Sequence, residues 1–173
     1  SAPSTNGVTT GIQTNAWGRT VANHVSEPAG RCSSSTNGAI SGNNMFGNYV
    51  EFHKLYGNEI TGYGCYGSSR LHHTTYMSLR DATNDATVQP WEWGWNYLHD
   101  NEAQNGIHNY DEDQRSGTGQ RCGNLSGDLL IHDNVIVNQA GAGIFVSSGC
   151  GWTNTSRIYN NVIINAGLPG DWN

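Results

Sequence analysis

The chain has 173 residues, only 13% of them charged, with 23 glycines, six tryptophans and eight tyrosines: enough apolar material for one domain with a core, and too aromatic for a disordered segment. Its formal net charge is −6, with Lys54 the single lysine against seven arginines, so the clustered cations that neutralise phosphates are lacking and nucleic acid is set aside as a partner. No apolar run approaches the roughly 20 residues of a membrane span, and the opening "SAPSTNG" reads as a mature start after signal removal.

Residues 1 to 38, rich in Ser, Thr, Asn and Gly, predict an irregular first coil or a cap. From residue 39 onward the chain repeats itself. The segments "LYGNEITG" (55–62), "WGWNYLHD" (93–100), "IHDNVIVN" (131–138) and "IYNNVIIN" (158–165) superimpose without a gap, each with a large apolar residue first, Asn fourth and Ile or Leu sixth. The aligned residues are Asn58, Asn96, Asn134 and Asn161, separated by 38, 38 and 27 positions, which is the scale of a stacked-repeat architecture. Alternation and β-branched residues make the unit β, because Gly and Asn interrupt every apolar run before a helix could form. A second element follows: "TTYMS" (74–78), "GIHNY" (106–110) and "GIFVS" (143–147). One repeat is then a strand, a corner at Asn, a short strand, a glycine-rich turn and a third strand. Stacked coils lie about 4.8 Å apart, so an inward Asn at a fixed corner bonds its equivalents above and below while tolerating left-handed backbone geometry.

The "NxI" corners, aligned asparagines and "GxGI" turns resemble the right-handed parallel β-helix proteins of the pectate-lyase-like superfamily, over roughly residues 40 to 170. The expected fold is therefore all-β: a right-handed parallel β-helix over residues 39–173, with residues 1–38 as N-terminal coil or cap. "AGLPGDWN" stops directly after a repeat, as expected of a truncated chain or of coils that associate end to end. None of the four cysteines, Cys32, Cys65, Cys122 and Cys150, has CxxC spacing, and three disulfide pairings are open. Stacking of neighbouring coils favours Cys32–Cys65 and Cys122–Cys150, and such bridges suggest a secreted protein; the sequons at Asn124 and Asn154 are a pattern that an Asn-rich chain produces easily by chance.

Reactive side chains concentrate in two insertions. The first, residues 68–85, carries Arg70, His72, His73, Tyr76 and Arg80; the second, residues 99–115, carries Asp100, Glu102, His108, Tyr110, Asp111, Glu112 and Asp113. Tyr76 is expected to pair with Ile107, with Met77 and His108 on the opposite face and His73 and Tyr110 flanking it. The resemblance implies a polysaccharide, uronate-containing in the lyase case, bound along such a face. The expected chemistry is either β-elimination or hydrolysis by an acid pair. No family catalytic signature is present, so the candidates come from this chain's own residues: Lys54, Arg70, His72, His73, Tyr76, Arg80, His108 or Tyr110 as base or helper, or Asp100 and Glu102 as the acids. The resemblance also makes Ca²⁺ a candidate cofactor, with Asp100, Glu102, Asp111, Glu112 and Asp113 as candidate oxygen ligands. The alternative is a non-catalytic carbohydrate-binding, adhesin or fibre-forming protein. His99 and His132 are expected to bond backbone groups at corners. Trp91, Trp93 and Trp95 alternate and read as core, leaving Trp17, Trp152, Trp172, Tyr63 and Tyr66 to stack on sugar rings.

Overall fold

The computed structural model describes residues 12–13, 18–26, 40–41, 53–64, 73–78, 90–111, 128–148 and 155–167. Among these residues fifteen strands and no helix form three five-stranded parallel sheets. Sheet A holds Ile12–Gln13 (β1), Ile40–Ser41 (β4), His73–Ser78 (β7), Asn105–Asp111 (β10) and Ala142–Ser148 (β13). Sheet B holds Arg19–Val21 (β2), Lys54–Tyr56 (β5), Trp91–Gly94 (β8), Leu129–His132 (β11) and Ser156–Tyr159 (β14). Sheet C holds His24–Ser26 (β3), Glu59–Thr61 (β6), Tyr97–Asn101 (β9), Val135–Gln139 (β12) and Val162–Ala166 (β15). The chain visits the sheets in rotation, so each strand pairs with the strand three further along: a solenoid arrangement compatible with a parallel β-helix. No helix among the described residues is long and apolar enough to cross a membrane.

The expected asparagine column is present, and it has one more rung. Backbone N–H and Nδ2 of Asn58 both donate to Oδ1 of Asn96 at 3.0 Å, and the same pair of bonds joins Asn96 to Asn134 and Asn134 to Asn161. The second Nδ2 proton goes back one coil, from Asn58 to the Thr20 carbonyl, from Asn96 to Leu55 and from Asn134 to Trp93. Each inner amide thus has both donors and its carbonyl engaged, which makes burial of so polar a group tolerable. Asn23 supplies the additional rung, donating to Asn58. Strands β1 to β3 accordingly carry the stack back into residues 1–38.

Left-handed geometry falls one residue earlier than expected. The residue before each ladder asparagine has positive φ: Ala22, Gly57, Trp95, Asp133 and Asn160, all between 53 and 61°. The turn from sheet C repeats this at Gly62, Asp100, Asn138 and Asn165. At the Asn corner the left-handed residue bends the chain, and the asparagine that follows turns inward to bridge coils. Inside, Leu55, Trp93 and Ile131 stack in register on sheet B and Ile60, Leu98 and Ile136 on sheet C, all buried, with Met77 and Ile107 closing the core from sheet A. Cys32, Cys65, Cys122, Cys150, Asn124, Asn154, Trp17, Tyr66, Trp152 and Trp172 lie outside the described residues.

Candidate functional site

Histidines gather in three places on the outside of the stack, in two kinds of surroundings. On sheet A, His108 pairs with Tyr76 and Phe145, Ile107 with Thr75, and Asn109 with Met77. This corrects the expected register by one residue. Met77 and Ile107 both belong to the core, so with two-residue alternation Tyr76 and His108 share the outward face. At the head of the strand Thr74 donates to Oε1 of the buried Gln139 at 3.1 Å, so two successive residues, Thr74 and Thr75, face inward and His73 comes out beside Tyr76. His73 Nε2 and His108 Nδ1 are 3.0 Å apart, and Asn105 Nδ2 lies 3.2 Å from His73 Nδ1. Tyr76 stacks on His73 at 5.1 Å and meets His108 edge-on at 5.0 Å, while Phe145 meets His108 from the next coil.

Burial pushes the His108 imidazole down to about 4, so it is neutral at neutral pH. The chain Asn105–His73–His108 is able to run its protons either way. With the amide turned so that its oxygen accepts from His73, His108 Nδ1 donates to His73 Nε2, and the lone pair of His108 is on Nε2.

On sheet B the neighbours are carboxylates. His132 Nε2 is 2.9 Å from Glu92 and its Nδ1 is 2.8 Å from Asp133, the left-handed corner residue that follows it. Lys54 donates to the other Glu92 oxygen at 3.2 Å. Burial raises the Glu92 carboxyl, but hydrogen bonds from Tyr56, His132 and Lys54 outweigh burial and hold it below the usual carboxylate range. Burial together with the bond to Glu92 pushes the Tyr56 phenol up, so it remains a donor. Gly94 makes the room: a Cβ there would stand 2.9 Å from His132 Cε1. Rings from successive coils then line up, Tyr56 edge-on to Trp95 at 5.6 Å, Trp95 edge-on to His132 at 4.8 Å, and Tyr159 flat against His132 at 5.1 Å.

Sheet C carries a second Glu–His–Asp clamp built the same way. His99 Nε2 is 3.1 Å from Glu59, and Nδ1 is 2.8 Å from Asp100, again the next residue and again left-handed. Burial lowers the His99 imidazole, but the bonds to Asp100 and Glu59 outweigh it, so the ring is shifted upward. Asn138 and then His99 hold Asp100 below its ordinary value, and Glu59 is lowered by His24 and then His99. Both oxygens of Asp100 are thereby engaged.

Of the expected site residues, His73, Tyr76 and His108 come together, and Lys54 does not join them: it lies on sheet B in an ion pair with Glu92. Tyr110 follows in the same strand, in register with Ser78 and Ser147; its side chain and that of Asp111 lie outside the described residues. Arg70, His72, Arg80, Glu112 and Asp113 lie outside them altogether. Glu102 is exposed just after β9. Among the described residues no three His, Cys, Asp or Glu side chains form a metal-binding group. Three expectations are corrected. His99 and His132 bond carboxylates rather than backbone, Trp95 is 58% exposed rather than core, and Tyr63 is buried in the core rather than offered to a sugar. Glu92 was missed, although alternation between the inward Trp91 and Trp93 puts it outside. No protein-family model, curated protein or solved structure matches this chain, so the site is read from its own geometry.

Proposed function

We propose that the chain is a secreted right-handed parallel β-helix of the pectate-lyase-like kind, cleaving an extended uronate-containing polysaccharide by β-elimination on the outward face of sheet A. The right hand is the one that parallel crossover connections almost always take. The observation that carries the reaction is the His73–His108 pair, 3.0 Å apart, with Tyr76 on the same face. In β-elimination a base takes the proton from the carbon next to the uronate carboxylate, the C–O bond to the leaving sugar breaks, a C=C bond forms, and the leaving oxygen takes up a proton. A neutral His108 whose Nδ1 is oriented by His73 is suited to the first step and the Tyr76 hydroxyl to the last. Arg70, His72 and Arg80 are proposed as helpers that bind the uronate.

Hydrolysis has less support. An inverting or retaining glycosidase needs one carboxyl group that holds a proton beside one that is ionised, and Asp100, lowered by Asn138 and His99, fits only the ionised role. The same engagement makes Asp100 a poor Ca²⁺ ligand, so no step is assigned to a metal.

The test is incubation with polygalacturonate, alginate and glucuronate-bearing glycans while following the ultraviolet absorbance of the unsaturated product. A His108→Ala or Tyr76→Phe enzyme should lose about 10²- to 10⁴-fold in rate, and Lys54→Ala should keep it. Reducing ends released without absorbance would replace elimination by hydrolysis. Binding without either product would make the protein a non-catalytic glycan binder.

A further inference from the structure

We propose that Trp95 is the stacking face of a second glycan-binding site, on the corner between sheets B and C, and that this site takes a neutral sugar. Trp95 fills the left-handed corner position with φ 58°, where the equivalent residues are Ala22, Gly57, Asp133 and Asn160. A bulky residue is disfavoured in that conformation, and burial does not compensate: Trp95 is 58% exposed, whereas Trp91 and Trp93 in the adjoining strand are fully buried. The backbone at this corner would be served as well by glycine or asparagine, and the exposed part of the ring adds no burial to the fold.

Its surroundings are suited to a sugar. Tyr56 and His132 meet the indole at 63° and 87°, so they fix its plane without lying flat over it, and the flat apolar face that a pyranose ring requires is left uncovered by them. Next to His132 stand two carboxylates whose geometry is already set, Glu92 by Lys54 and His132, and Asp133 by His132. Both Glu92 oxygens are engaged, so the acceptor for a sugar hydroxyl is Asp133, whose side chain is 35% exposed and is already oriented by His132, at little ordering cost. Charge decides against a uronate. The Lys54 ammonium is already paired, and Glu92 and Asp133 repel an anionic glycan on a chain of net charge −6. Rings from four successive coils are in line, Tyr56, Trp95, His132 and Tyr159; His132 is buried between its neighbours, so a polymer running along the stack meets the exposed Trp95 and Tyr159.

Affinity electrophoresis tests this in gels containing galactomannan, xylan or mixed-linkage β-glucan, with polygalacturonate as the anionic comparator. At least one neutral polymer is expected to slow the protein. Trp95→Gly should weaken that retardation by about tenfold or more, with an unchanged or higher melting temperature because glycine suits the corner. Tyr159→Ala should weaken it severalfold. The proposal is overturned if none of the three neutral polymers slows the protein, if Trp95→Gly is slowed as the parent is, or if polygalacturonate alone gives Trp95-dependent retardation. The site shares with the β-elimination reading only a glycan ligand. Turnover of a uronate polymer without neutral-glycan retardation would leave that reading standing and remove this one.

Discussion

His108 on sheet A and His132 on sheet B each reach back one coil and bond the side chain they find there, His108 to an imidazole and His132 to a carboxylate. The strand spacing is the same and the residue type is the same. The neighbours differ: His73, Tyr76 and Phe145 around one ring, Glu92 and Asp133 around the other. Sheet A thereby holds an imidazole that resists protonation, while the matching clamp on sheet C shifts His99 the opposite way. A solenoid supplies fixed registers, and the side chain one coil away decides whether a histidine there meets another imidazole or a carboxylate.

The largest expected effect comes from acid. Burial lowers both His53 and His108 from 6.5 to about 4, so each contributes stability that is complete above pH 6.5 and lost as pH falls toward 4. A shift of that size is worth about 3 kcal/mol per group. Urea unfolding at pH 7, 5.5 and 4.5 should show stability falling across this window, with a shallower fall for His108→Gln. An unchanged slope in that variant would remove the buried-neutral assignment.

Next comes the scaffold beneath both regions. Asn96→Ala removes the acceptor for two Asn58 donors and leaves the Leu55 carbonyl without its amide. Unsatisfied buried groups cost about 1–3 kcal/mol each, so a loss of about 3 kcal/mol or more is expected in chemical denaturation. Sheet A and sheet B signals should then melt together.

Glu92→Gln acts on the carboxylate side alone. It keeps the shape but removes the charge that accepts from Lys54 and His132, at an expected cost of about 1–2 kcal/mol, and it should leave turnover of uronate polymers unchanged. The smallest effect has the opposite sign. Asn109 is fully buried on sheet A between Met77 and Val146, with no partner among the described residues for its amide nitrogen or oxygen, so Asn109→Val should raise stability by about 1 kcal/mol.

Much of this architecture was legible because each repeat keeps Asn at one place in an eight-residue frame. Asn58, Asn96, Asn134 and Asn161 are found that way, and Asn23 escapes because Thr20 stands where the frame requires a large apolar residue. Strand alternation also reads correctly until a corner intervenes. It places Trp91 and Trp93 inside, and it fails at Trp95, where positive φ redirects the side chain outward. The clamps left a signal that went unused. Both consist of "HD" with Glu 40 residues upstream of the His, Glu59 for His99 and Glu92 for His132. A local reading of corners assigns such histidines to the backbone, because only stacking brings a residue 40 positions away to within hydrogen-bond distance.

The most direct test of the contrast between the two regions is a histidine titration by NMR, with resonances assigned from His99→Gln and His108→Gln variants. The predicted result is that His108 remains neutral until pH approaches about 4, while His99 takes up its proton above the ordinary value of 6.5. Coincident midpoints for the two rings, or a His108 that titrates at 6.5, would contradict the account.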